Sequence, residues 1–218
     1  MQSAWLQQNK HQECILFLAG WGMDPGPFHF LHVGDCDLCM ISDYRQLHPI
    51  SLEPFAGYER LHLIAWSMGV WVAAHLLAEQ AAAFASSTAI GGTLTPIDKL
   101  RGIPPENYAA MVDTFDQATL DSFYRNMFDS EEQLARFLAN KPRLDLHQLH
   151  DEMKAFRASF LQHGPGNDIF THKIITSRDR IFSGRNQLRA WGKDNGTVRN
   201  WPHFPFSLLA GWRDLLPV

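Results

Sequence analysis

One short stretch constrains the fold more than any other: Leu61-His62-Leu63-Ile64-Ala65, Trp66-Ser67-Met68-Gly69, then fourteen residues without glycine or proline. A continuous apolar run of five, cut off by a serine and a glycine and followed by an alanine- and leucine-rich segment, predicts a buried strand, a tight turn and a helix over 70–83. Strands that are apolar without alternation belong to parallel sheets covered on both faces. Residues 14–19 and 38–41 are two earlier runs of this kind, the first stopped by Gly20-Trp21-Gly22, and residues 86–90 form a fourth, closed by Gly91-Gly92. Strand, turn, helix, strand is a βαβ pattern, so the expected class is α/β.

The alternation is then interrupted. Between 104 and 163 no strand is evident. Helix-like segments are expected at 117–127, 130–139 and 146–161, with Ser130 as an N-cap and Gln133 as its capping-box partner. Strands resume at 171–176 and 197–201, with a helix at 184–191 between them and a terminal helix at 205–216. The 218 residues therefore read as one domain, 1–218, whose sheet carries a helical insertion at about 101–163, placed to cover the strand ends as a lid.

Composition supports a packed core: 45% of residues are hydrophobic and 12% aromatic, enough to exclude disorder. The net charge of −4 and a pI near 6.2 argue against nucleic-acid binding by bulk charge. Residues 164–218 nevertheless carry more Lys and Arg than Asp and Glu, either a docking face for an acidic partner or a solvated one. Cys36 and Cys39 have C-x-x-C spacing, but with Cys14 as the only other cysteine they cannot complete a four-cysteine zinc site, and reduced thiols are expected. No metal or cofactor is implied. The N-terminal segment has no basic stretch leading into a long apolar run, so neither a signal peptide nor a membrane span is expected, and a cytoplasmic location follows.

The chemistry is expected at the turn. In Ala65-Trp66-Ser67-Met68-Gly69 a serine stands between strand and helix with small residues two positions away on each side, the pattern of a nucleophile elbow with Ala65 in place of the usual glycine. Such a serine needs a histidine to take its proton and an acid to orient that histidine, in the chain order Ser, acid, His. Asp179 follows the strand at 171–176 by three residues, and His203 follows the last strand. Both therefore fall at the strands' C-terminal ends, where open α/β sheets bind ligands. Asp168 and Asp194 precede their strands and lie at the wrong edge. Backbone N–H groups for an oxyanion are expected from Met68 and from Trp21, the latter in a loop whose glycines either free that peptide to point inward or simply make a turn.

Four segments together, Leu18-Ala19-Gly20-Trp21-Gly22-Met23, Ala65 to Trp71, Ser177-Arg178-Asp179-Arg180-Ile181-Phe182 and His203-Phe204-Pro205-Phe206, resemble the BioG-type pimeloyl-[acyl-carrier protein] methyl ester esterases. The two tryptophans around the serine, Trp66 and Trp71, are the most specific part. The resemblance implies a compact α/β-hydrolase fold, a mostly parallel sheet with helices on both faces and a helical lid. It also implies a serine esterase of biotin synthesis that releases methanol from pimeloyl carried on acyl-carrier protein, with the triad on Ser67, Asp179 and His203 and the oxyanion donors on Trp21 and Met68. Trp21, Met127 and Phe128 are candidates for lining an acyl channel, although Met127 and Phe128 would serve equally as packing within the lid. Two basic sets are candidates for docking the acidic carrier: Arg136, Lys141 and Arg143, and Arg178, Arg180, Arg185 and Arg189. A broader small-acyl carboxylesterase or thioesterase, or a non-catalytic binding protein of the same fold, are the alternatives.

Overall fold

The computed structural model describes residues 1–217. Seven strands form one sheet: β1 (Gln2–Gln7), β2 (Glu13–Leu18), β3 (Cys36–Ser42), β4 (Arg60–Trp66), β5 (Ser86–Ile90), β6 (His172–Thr176) and β7 (Thr197–Arg199). Their order across the sheet is β1-β3-β2-β4-β5-β6-β7. Every pairing is parallel except β1 with β3. The continuous apolar runs of β2, β3 and β4 are buried along almost their whole length, as strands covered on both faces must be. Around Phe17 of β2, the rings of Phe28, Phe206 and Trp212 make edge-on contacts with centroids 4.7–5.7 Å away.

Six helices accompany the sheet: α1 (Met68–Leu76), α2 (Pro105–Asp113), α3 (Gln117–Asn126), α4 (Glu131–Ala139), α5 (Leu146–His163) and α6 (Gly184–Trp191). Four of them, α2 to α5, fall between β5 and β6. The chain runs from β2 outward to β3, then crosses back to β4 on the other side of β2. The sheet thus reverses its winding direction between β2 and β4, and the loops leaving those two strands diverge around a crevice, the place where doubly wound sheets bind ligands. Leu18 pairs with Ala65 in that register, so the Gly20–Gly22 loop and the Ser67 turn leave the sheet side by side.

Several expectations are corrected. β1 is an additional strand: its mixed sequence, with Ala4, Trp5 and Leu6 among polar residues, gives a half-buried, antiparallel edge, held by Trp5 against Phe55 at 5.7 Å. α2 is an additional helix, started by Pro105 in its first turn, with only Tyr108 and Val112 buried, too few for a visible apolar stripe. The expected helix at 70–83 ends at Leu76, and Ala78–Ala83 tightens into a 3-10 turn. None of the latter's side chains is buried, so no packing favours the wider α form. The expected terminal helix at 205–216 is instead two 3-10 turns, Phe206–Leu208 and Trp212–Leu215. Gly211 between them is extended and pairs with His32, which lets Phe206 and Trp212 both reach the core. At α4, Ser130 accepts the Gln133 N–H at 3.2 Å, but the Gln133 amide oxygen is unpartnered among the described residues. The full capping box belongs to α5, between Asp145 and Gln148.

Candidate active site

Ser67 ends β4 and precedes α1 with φ 60° and ψ −124°, a conformation that L-residues avoid and that is kept where surrounding structure enforces it. The enforcement is visible. The Ser67 N–H donates to Ile90 O at 2.9 Å. A Cβ on Gly69 would lie 2.3 Å from Leu18 O, and one on Gly92 would lie 2.2 Å from Ser67 O. Both positions need glycine so that the turn can nest between the ends of β2 and β5. Ala65, fully buried, fills the other small position. The turn presents Ser67 above the start of α1, whose first N–H groups have no acceptor within the helix.

Asp179 and His203, remote in sequence, are in direct contact: His203 Nδ1 lies 2.7 Å from Asp179 Oδ2, with both side chains essentially inaccessible to solvent. A buried carboxylate must have its oxygens satisfied. Asp179 accepts the Ile181 and Phe182 N–H groups at 2.8 Å each, the Thr176 hydroxyl at 2.8 Å and the Gln187 amide at 3.2 Å. The β6 end and α6 thereby hold the acid. The His203 ring stacks on Phe182, with planes 8° apart. Its backbone carbonyl accepts the Trp66 indole N–H at 2.8 Å, so the histidine loop is tied to the residue preceding Ser67. His203 Nε2 is buried and has no hydrogen-bond partner among the described residues, the Ser67 hydroxyl included.

Trp21 and Met68 are both buried and flank the crevice between β2 and β4. No hydrogen bond within the protein engages the Trp21 N–H among the described residues, and Met68 opens α1. A Cβ on Gly20 would lie 3.1 Å from Ser67 Cβ, a measure of how closely this loop approaches the serine. The Trp21 side chain points the other way, into the helical segment. Its indole N–H donates to Leu149 O at 2.9 Å, and its ring packs edge-on against Phe123 at 4.9 Å.

Beside Met68 lies a cavity of about 640 Å³, walled mainly by α2 and α3 through Tyr108, Met111 and Phe123 and by Ile181 and Arg180 of the acid loop. Trp21, expected to line the acyl channel, is not among its walls, and Met127 and Phe128 do not border it. Both are buried; the Met127 carbonyl accepts the Phe204 N–H at 3.0 Å, and the Phe128 ring contacts Phe137 and Phe204. Of their two expected roles, packing is the one this geometry provides.

The basic residues separate into two places. Arg178 and Arg180 flank Asp179 and both reach Asp129, at 3.1 and 3.6 Å. Arg185 and Arg189 are exposed on neighbouring α6. Arg136 pairs with Glu132 at 2.6 Å along α4, and Lys141 and Arg143 are exposed in the next loop. All three cysteines are free and buried. Burial pushes the Cys14 thiol up to about 12 and that of Cys39 to about 11, far from the thiolate that metal or redox chemistry needs. Among the described residues, no cluster of three or more His, Cys, Asp or Glu side chains could hold a metal ion, and no helix is long and apolar enough to cross a membrane.

One charged group close to the site was not anticipated. Glu152 of α5 accepts the Gly22 N–H at 3.1 Å and the Tyr44 N–H at 2.9 Å. It is 2% exposed, and burial pushes its carboxyl up to about 7. The signal was in the helix period: Leu149, Met153, Phe156 and Phe160 form the buried stripe of α5, and Glu152 falls on that stripe three residues after Leu149.

Comparison with known proteins agrees with this architecture. The crystal structure of BioG from Haemophilus influenzae superposes with a TM-score of 0.88, is 28% identical and is matched over 100% of both chains. A lipase-esterase related protein from Clostridium acetobutylicum, 13% identical and matched over 93% of this chain and 92% of its own, gives a TM-score of 0.63 and shares the fold. A malonyl-[acyl-carrier protein] O-methyltransferase from Bacteroides fragilis (strain 638R) is 36% identical over 182 residues, which are 84% of this chain but 37% of that protein. This chain thus spans little more than a third of that relative. The family model of pimeloyl-ACP methyl esterase BioG matches residues 1–215. With a mostly parallel seven-stranded sheet of α/β-hydrolase type and a family match over nearly its whole length, the chain belongs to the BioG family.

Proposed function

We propose that this chain is a serine esterase that hydrolyses the methyl ester of pimeloyl-[acyl-carrier protein] in biotin biosynthesis, with Ser67 as nucleophile, His203 as general base and acid, and Asp179 as the group that orients it. The observation carrying the reading is the buried Asp179–His203 hydrogen bond, whose histidine is tethered to the turn that presents Ser67. Asp179 on Nδ1 fixes the tautomer in which Nε2 is the basic nitrogen. In the proposed cycle, His203 Nε2 takes the Ser67 proton as Oγ attacks the ester carbonyl, and the Trp21 and Met68 N–H groups receive the oxyanion. His203 then returns the proton to the departing methoxy group, giving methanol and an acyl-enzyme. Water, deprotonated by His203, hydrolyses that ester and regenerates Ser67.

The carrier-borne substrate offers two electrophiles, a distal methyl ester and the thioester to the carrier. Selection between them rests on position. The helices α2 to α5 act as the lid, and the cavity beside Met68, with its apolar wall of Tyr108, Met111 and Phe123, holds the acyl chain extended so that the far carbonyl meets Ser67. The exposed arginines Arg178, Arg180, Arg185 and Arg189 surround the acid loop and provide the side that faces the acidic carrier; Arg136, Lys141 and Arg143 form a second, more distant set.

The test is methanol release from methyl-pimeloyl carrier protein by the purified chain, wild type beside Ser67→Ala. Turnover by wild type, with at least a ~10³-fold fall in the variant, is expected. Equal turnover in both would exclude Ser67 as nucleophile. Equal efficiency on free methyl pimelate would replace the carrier-linked substrate with a small-acyl one.

A further inference from the structure

The oxyanion loop of this chain is not secured by the sheet alone. Three side chains or carbonyls from elsewhere hold it: the Tyr44 hydroxyl donates to Ala19 O at 2.7 Å, the Trp21 indole donates to Leu149 O at 2.9 Å, and Gly22 donates its N–H to Glu152 Oε2 at 3.1 Å. The second and third grips both come from α5. Gly22 has φ 69°, and a Cβ there would meet the Leu149 side chain at 2.8 Å, so the loop is pressed against that helix at a residue with little conformational preference of its own.

A carboxylate placed there solely to fill space would be a poor choice. Burying a charge is costly, and an apolar side chain of similar volume generally serves stability as well or better. What Glu152 supplies is two acceptors, spent on two backbone N–H groups in two different loops. One belongs to the peptide that directly follows Trp21. The other belongs to Tyr44, whose own hydroxyl secures the Ala19–Gly20 peptide, one peptide before the one that carries the Trp21 N–H.

We propose that Glu152 is a positioning residue of the reaction: by holding Gly22 and Tyr44 through one carboxylate, it sets the orientation of the Trp21 peptide as an oxyanion donor. This rests on the serine-esterase reading above. The groups facing the carboxylate are Tyr44 with Asp43 and Arg45 beside it, from the loop after β3, and Tyr108 from α2; the Trp21–Gly22 segment brings no ionisable group. Loss of the carboxylate leaves the Gly22 N–H without its acceptor and the glycine peptide free to rotate. The oxyanion is then received by one well-placed donor and one that is loosely held.

The experiment compares wild type, Glu152→Gln, Glu152→Met and Ser67→Ala on a short p-nitrophenyl ester, which does not depend on the acyl cavity. It is paired with binding of a trifluoromethyl ketone, which forms an oxyanion on the serine, and of the corresponding carboxylate product, which does not. Glutamine keeps one acceptor and turns a donor toward the other N–H; methionine keeps the volume and removes both, so a folded variant is available even if the amide is not tolerated. Expected is a roughly 10- to 100-fold fall in kcat at nearly constant KM, short of the loss of a whole oxyanion donor, with trifluoromethyl ketone affinity falling in parallel and product affinity unchanged. If the folded Glu152 variants keep kcat and ketone affinity within about twofold of wild type while Ser67→Ala is inactive, the positioning role is overturned and the esterase reading stands. If Ser67→Ala remains active, both are overturned.

Discussion

The Trp66 indole N–H donates to the backbone carbonyl of His203 across 137 residues of chain. This bond joins the residue before Ser67 to His203 itself, so the distance between turn and imidazole is set by a rigid ring and not by two loops. Trp66→Phe retains the packing against Phe204 and Phe206 and removes only the bond. A stability loss of about 1 kcal/mol is expected, together with a fall in kcat of roughly tenfold from a mobile His203. Unchanged kcat in a variant destabilised by that amount would show that other contacts fix the histidine.

Asp179→Asn tests the orienting acid. The Asn carbonyl can still accept the Ile181 and Phe182 N–H groups, but its NH2 would face His203 Nδ1 and favour the wrong tautomer. Turnover is expected to fall by up to ~10⁴ with the fold intact. Circular dichroism beside ester hydrolysis checks it, and a variant retaining more than a tenth of wild-type kcat would remove Asp179 from the mechanism.

Gly69→Ala places a methyl group 2.3 Å from Leu18 O, against backbone that cannot step aside without opening the junction of β2 and β4. Destabilisation of about 3 kcal/mol and loss of the Ser67 turn are expected. The check is the urea midpoint together with fluorophosphonate labelling of Ser67; a stable, fully labelled variant would mean the turn is looser than its contacts imply.

The stability of the fold should carry the signature of Glu152. Its carboxyl is raised by burial from 4.5 to about 7, so between these pH values the folded chain keeps a proton that the unfolded chain has released. Stability from this group is therefore full below about 4.5 and declines as pH rises through 7. Urea unfolding of wild type at pH 5 and pH 8 should show a larger drop than the same pair of measurements on Glu152→Gln. Equal drops would place the proton elsewhere.

The arginines around Asp179 are predicted to matter for the carrier and not for the chemistry. Reversing Arg178 and Arg180 to Glu is expected to lower kcat/KM for carrier-borne ester severalfold, to flatten its dependence on ionic strength, and to leave a free methyl ester nearly unaffected. Both arginines also neutralise Asp129, so Asp129→Asn is the control for the partner left behind. A loss equal for both substrates would argue against docking at this face.

What the sequence disclosed was whatever a contiguous pattern encodes. The apolar runs of β2 and β4 stand against glycine-containing turns, so both turns could be anticipated, and the chain order with their places after later strands then singled out Asp179 and His203 as the acid and base to examine. Long-range side-chain contacts were not legible in this way. Thr176 and Gln187, which hold Asp179, look like an ordinary strand end and an ordinary helical glutamine. Glu152 announces itself only as a charge on a buried stripe. β1 was hidden because an edge strand buries one face poorly and need not be apolar, and the tail after Pro205 because Phe206 and Trp212 are shaped by the core they enter instead of by a local period.

The bond from Trp21 to Leu149 links residues 128 positions apart, and the one from Trp66 to His203 spans still more. During synthesis, β2, β4 and the serine turn therefore leave the ribosome well before the segments that complete their surroundings. Contacts of such high sequence separation form late because their loop entropy must be met first. A nascent chain of this kind holds Ser67 in an unfinished setting until the segment that carries His203 has emerged.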